Sequence, residues 1–214
     1  MPSANSDPQL RVYLLIEDLQ RQFAAYMGTP LRARGYPPLE GEHSLIIEVA
    51  PALMIQRVLD LAVKSVPSID TGILMVERQF GVLELHSKDL TELKAAGQAV
   101  LDGLNLSADD QLAPTILYSD IIEDVSDQHA IIINRAREAS MILPGESLLV
   151  YEMTPALFAA VAANEAERAA PDITVVDVQM IGAAGRVSLS GPTEAVTAAR
   201  ARITDALGAI TGKD

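Results

Sequence analysis

The sequence predicts an α+β protein of two tandem halves, each an antiparallel sheet with flanking helices. Three observations carry this. First, GEHSLIIEVAPAL, beginning at Gly41, returns as GESLLVYEMTPAL at Gly145, identical at seven of thirteen positions, where chance at ordinary residue frequencies gives roughly one. Second, the register continues without a gap, at an offset of 104 residues, through Ala62/Ala166, Pro67/Pro171, Ile69/Ile173, Gly81/Gly185, Leu85/Leu189 and Ala95/Ala199, which marks a duplication. Third, each copy alternates strand-like and helix-like apolar spacing in the same order.

The elements follow in sequence. SLIIEV and SLLVYEM read as strands that end just before a helix. Thr154 is expected to cap the helix in the second copy, with Pro155 at its first position, where the missing N–H costs nothing; Ala50 is the poorer cap before Pro51. Met54, Val58, Leu61 and Ala62 recur at spacings of three and four, and the helix stops near Pro67 or Pro171. IDTGILMVE and ITVVDVQM are rich in branched residues and predict strands, followed by a turn at Gly81 or Gly185 and a further strand. A second helix starts near Ser87 or Gly191, with Leu90, Leu93, Gly97, Val100 and Leu104 as its stripe in the first copy. Strand, helix, strand, strand, helix lets two helices cover one sheet face, a ferredoxin-like sandwich. Upstream, IED at Ile16 and at Ile122 extends both copies backward with a small length change.

Composition narrows the function. Of 214 residues, 49% are hydrophobic but only 4% aromatic, with no Trp, so the expected core is Ala, Val, Ile and Leu. The net charge of −13 argues against nucleic acid and anionic membranes, which need clustered basic side chains. No apolar run reaches the roughly 18 residues of a membrane span, and MPSANSDPQL has neither the basic nor the apolar region of a signal peptide. A soluble, cytoplasmic protein is expected. The chain has no cysteine, which excludes thiol catalysis and disulfides.

The second copy, from LLVYEMTPAL through IGAAG to VSLSG and the Ala-rich segment ending ARARI, resembles the bacterial microcompartment (BMC) shell domain. About 60 residues of each copy carry the resemblance, through the order and spacing of its parts; the first copy fits less closely in the same register. IGAAG, Ile181 to Gly185, stands where the family has its pore loop. The roughly 40 residues ahead of each copy match the circularly permuted variant, whose terminal elements move to the front. The resemblance therefore implies tandem permuted BMC domains: a flexible N-terminus over 1–9, one domain over 10–108 and a second over 109–212. It also implies homotrimers that imitate hexamers, alone or stacked face to face, tiled with other shell proteins in the microcompartment shell and passing small metabolites through a central pore. A true hexamer repeats one pore loop six times, whereas a tandem trimer supplies two unlike loops.

The copies differ most at that loop. Glu77 and Arg78 of MVERQFG face Ile181 and Gly182 of MIGAAG. In permuted tandem shell proteins an adjacent Glu-Arg pair here lines the pore, and its movement opens or closes the passage; the plainer alternative is a solvated pair of little energetic weight. Phe80 is placed to brace this loop or simply to pack. Lys64 in AVKSVP and Arg168 in AERAAP match the family's edge-contact position, with a favourable helix-dipole interaction as the bland alternative. Leu31 to Glu42, with a Gly, two Pro and mixed charge, reads as a mobile surface segment.

No catalytic constellation is visible, and neither a cofactor nor a metal is expected. His43, His86 and His129 lie far apart and stand in no acidic cluster. GAAGRVSLSG does not open a helix after a strand as a dinucleotide loop must. Glu123-Asp124 and Asp109-Asp110 read as turns or helix starts. The expectation is a structural and transport protein rather than an enzyme. The rival is a tandem ferredoxin-like regulatory module that binds a small molecule between its halves.

Overall fold

The computed structural model describes residues 7–29, 35–77, 79–137 and 139–213. They form two compact units, one of Met1–Leu19, Met27–Ala113 and Thr211–Asp214, the other of Gln20–Tyr26 and Pro114–Ile210. The units thus cross the sequence halves at two places: a short helix from the first half folds into the second unit, and the C-terminal residues from Thr211 onward fold into the first.

The first unit holds β1 (Gln9–Ile16), β2 (His43–Ala50), α2 (Ile55–Ser65), β3 (Asp70–Glu77), β4 (Phe80–Ser87) and α3 (Leu90–Leu104); α1 (Arg21–Met27) precedes β2 in the chain. Its sheet is antiparallel with order β1-β2-β4-β3. Alternation along β2 turns Leu45, Ile47 and Val49 to one face, where they pack with Leu83 and Leu85 against Ile55, Val58 and Ala62 of α2 and Leu93, Ala96 and Val100 of α3. At eleven residues α2 is too short to persist alone in water. Burying Ile55 and Val58, at about 1.5–3 kcal/mol each, holds it.

The second unit repeats the plan with β5 (Thr115–Ile122), α4 (Asp127–Ala136), β6 (Ser147–Thr154), α5 (Phe158–Ala169), β7 (Thr174–Gln179), β8 (Gly185–Gly191) and α6 (Thr193–Gly208), in sheet order β5-β6-β8-β7. The two sheets share register and bulge positions: Thr71/Ile73 and Val175/Asp177 are the matching irregularities. The repeated glycines explain themselves. Gly41 and Gly145 sit at φ of 83° and 85°, a region that L side chains avoid. Gly81 and Gly185 lie so close to the turn before the helix that a Cβ would stand 2.2 Å from the carbonyl oxygen of Ala52 or Ala156.

Three expectations are corrected. Thr154 does not cap α5: it completes β6 opposite Thr115, and one turn of i→i+3 bonds from Pro155, Ala156 and Leu157 leads into a helix that starts at Phe158. The core is not purely aliphatic. Phe23, Tyr26, Tyr151 and Phe158 are among the largest fully buried side chains, all in the second unit. The segment before Gly41 is not simply mobile, because Gly35 and Tyr36 donate backbone hydrogen bonds to Gly72 and Thr71 of β3, both at 2.9 Å; residues 31–34 lie outside the described residues. At the N-terminus residues 1–6 also lie outside them, and Gln9 is already in β1.

Candidate functional site

The β3–β4 and β7–β8 hairpins occupy equivalent places in the two units but end differently. In the first unit, pairing runs to the end, Glu77 opposite Phe80, leaving two residues for the turn. Arg78 lies outside the described residues. In the second unit, pairing stops at Gln179 opposite Arg186, and Met180 to Ala184 form a five-residue loop. Ile181 is half-buried there and Gly182 exposed, at φ 131° with open space around it, a conformation that favours glycine. The first hairpin is therefore paired as far as Glu77 and Phe80, whereas the second ends in an open five-residue Gly-Ala loop.

Beneath both loops stands the same glutamate with a different arginine. Glu48 on β2 accepts from Arg11 Nε at 2.9 Å, and the Arg11 guanidinium lies 3.7 Å from the centre of the Phe80 ring. Burial pushes the Glu48 carboxyl up, and Arg11 pulls it only part of the way back. Phe80 is thus stacked under a cation at the base of the Glu77 turn. In the second unit Glu152 accepts from Arg186 Nε at 2.8 Å, while Arg186 Nη1 also donates to Gln179. That pair is largely exposed, whereas Glu48 is nearly fully buried.

Lys64 and Arg168, the edge candidates, stand in the last turns of α2 and α5. Lys64 is exposed and pairs with Asp60 one turn earlier at 2.8 Å, an interaction of small net value. Arg168 pairs with Glu165 at 3.2 Å.

One histidine, His86, has a single buried carboxylate beside it, which the sequence reading did not single out. Its Nδ1 lies 3.2 Å from Glu84 Oε2, and Ser44 Oγ donates to Glu84 Oε1 at 2.7 Å, with all three residues buried. The physical reason is the two-residue period of β4, which puts Glu84 and His86 on one face; the spacing E-L-H was the signal. Burial pushes the imidazole down, but Glu84's hydrogen bond and charge, with the charges of Glu42 and Asp70, hold its pKa above the ordinary 6.5. The matching residues of the second unit are Ser188 and Ser190, so the fold itself does not require this group. Among the described residues no cluster of three His, Asp or Glu could hold a metal ion, and no helix is long and apolar enough to cross a membrane.

Two permuted sheet-and-helix units with unlike hairpin loops define a tandem shell domain, and comparison with known proteins agrees. The family model described as the CsoS1D N-terminal domain matches residues 10–110. The carboxysome shell protein CcmP of Synechococcus elongatus is 39% identical over 96% of this chain and 95% of its own length. The carboxysome shell protein CsoS1D of Hydrogenovibrio crunogenus is 38% identical over 95% and 98%. Among solved structures, a double-ringed trimeric shell protein of the RMM microcompartment superposes with a TM-score of 0.92 at 66% identity, covering 96% of this chain and 98% of that one. A fused permuted hexameric shell protein of the same microcompartment gives 0.91 at 46% identity, covering 96% and 100%. The chain belongs to the permuted tandem-domain shell proteins of bacterial microcompartments, and its role is structural.

Proposed function

We propose that three copies close into a six-sided plate of a microcompartment shell, with a central pore whose wall alternates between the Glu77-Arg78 turn and the Ile181-Gly182 loop. The observation that carries this is the pair of equivalent hairpins with unlike ends, one paired as far as Glu77 and Phe80, the other ending in a five-residue loop after Gln179. Exposed ion pairs are worth about 0–1 kcal/mol, so two arrangements of the charged turn lie close in energy and a passing metabolite can bias them. The Arg11–Phe80 stack gives that turn a fixed base. On this reading the plate lies in a shell within the cytoplasm, passes small metabolites without transforming them, and meets neighbouring shell proteins through edges that include Lys64 and Arg168. Stacking of two plates face to face is the further arrangement that the double-ringed relative suggests.

The test is solution mass followed by a structure of the assembly. A mass of three or six chains of 22.8 kDa supports the plate; a monomer or simple dimer supports the ligand-binding module instead. Glu77→Ala with Arg78→Ala is expected to leave the assembly intact and the pore open. A structure that places this turn away from the threefold axis ends the pore assignment.

A further inference from the structure

Helix α1 has a seat in the second unit that is built in detail. The Gln22 side-chain amide donates to the Ile173 carbonyl and accepts from the Val175 N–H, both at 2.8 Å, and the Tyr26 hydroxyl donates to the Val178 carbonyl. Phe23 and Tyr26 are fully buried. The first N–H groups of α1 are satisfied by α5: Gln20 N donates to Asn164 Oδ1, and Gln22 N and Phe23 N donate to the Glu167 carboxylate.

The twin of this seat in the first unit is a cleft of about 450 Å³ lined by Gly35, Tyr36, Ile69, Thr71, Gly72 and Leu74. At the offset of 104, Ile69, Thr71 and Leu74 correspond to Ile173, Val175 and Val178, the three residues whose backbone α1 grips. The twin of the helix is α4, since IED at Ile16 and Ile122 sets Gln22 opposite Gln128 and Tyr26 opposite Ile132. Within its own unit α4 buries Ala130, while Ile131 and Ile132 are 58% and 61% exposed. The capping chemistry has changed in step. Val63 stands where α5 has Glu167, and α4 carries its own cap, the Ser126 hydroxyl accepting from His129 N, where α1 has Gln20.

We infer that α4 of one copy docks into the Gly35–Leu74 cleft of a second copy of this chain, head to tail, with Ile132 filling the cleft and Gln128 bridging the Ile69 carbonyl and the Thr71 N–H. This rests on the plate proposed above and names its joint. A helix on one unit and its seat on the other make a heterologous contact, the kind that builds a ring when the rotation from copy to copy closes, as the threefold plate requires.

The experiment uses the full-length chain. Ile132→Glu and Thr71→Arg each spoil one side of the joint, and each alone is expected to reduce a trimer to single chains, a threefold drop in mass by ultracentrifugation. Mixed one to one, they are expected to form heterodimers, because one copy keeps a sound cleft and the other a sound α4. Variants that assemble as well as the wild type, or that dissociate without pairing on mixing, overturn the joint. Wild type that never leaves single-chain mass removes the plate itself. Because the chain has no cysteine, Gln128→Cys mixed with Thr71→Cys and a short bis-maleimide gives a second readout that does not depend on destabilising either surface. A cross-linked heterodimer is expected; its absence between copies that do assemble overturns the joint.

Discussion

Replacing Glu167 by Val, the residue at the matching position of the first unit, tests how α1 is held. The carboxylate is 8% exposed and accepts from Gln22 N at 2.8 and 3.0 Å and from Phe23 N at 3.1 Å. Valine leaves two helix N–H groups without an acceptor in a water-poor place, and each such group costs about 1–3 kcal/mol. Allowing for partial relaxation, a loss of about 3 kcal/mol is expected, roughly a hundredfold in the local opening equilibrium. Amide hydrogen exchange read at Gln22, Phe23 and Tyr26 measures this directly, with the amides of β2 as an internal reference. Adding Gln20→Ser moves the cap onto the helix, as Ser126 does for α4, and is expected to recover about 1 kcal/mol. Exchange at α1 that is unchanged in Glu167→Val, or a second substitution that recovers nothing, refutes the idea that this carboxylate caps the helix.

Three further outcomes are expected. Arg11→Ala orphans the buried Glu48 and is expected to cost about 3 kcal/mol, whereas Arg186→Ala, which breaks the exposed pair with Glu152, is expected to cost under about 1 kcal/mol; urea midpoints that shift equally would contradict the difference in burial. Gly81→Ala and Gly185→Ala each push a methyl against a backbone carbonyl and are expected to cost about 1–3 kcal/mol in thermal unfolding, while two neutral substitutions would mean that the turn yields freely. His86, with its pKa raised, binds its proton more tightly folded than unfolded, so its contribution is full below about 6.5 and fades as pH rises through the folded value. The melting temperature is expected to fall from pH 6 to pH 8 more steeply in the wild type than in His86→Gln, and parallel profiles would remove the linkage.

Much of this was legible in the sequence, because a duplication writes the same constraint twice. The paired glycines, the paired prolines after the first helix of each copy, and the Glu of EVAPAL and EMTPAL all answer to features that recur in both sheets. What escaped were contacts between residues distant in the chain or alternating along a strand. Thr154 read as a cap because Thr-Pro is a good helix opening, yet its pairing with Thr115 depends on a partner nearly forty residues away. Glu84 and His86 looked unrelated until the pleat set them on one face. The different fates of α1 and α4 were written only in substitutions such as Tyr26 for Ile132 and Glu167 for Val63, whose meaning needs the seat to be seen.

That α1 belongs by sequence to one half and by packing to the other bears on how such a gene can change. A crossover between related genes near the boundary of the repeat would take Gln22 from one parent and Glu167 from the other, so a viable chimera must inherit compatible versions of both. Drift in either half is therefore answerable to the other, and the doubled gene is selected as one piece.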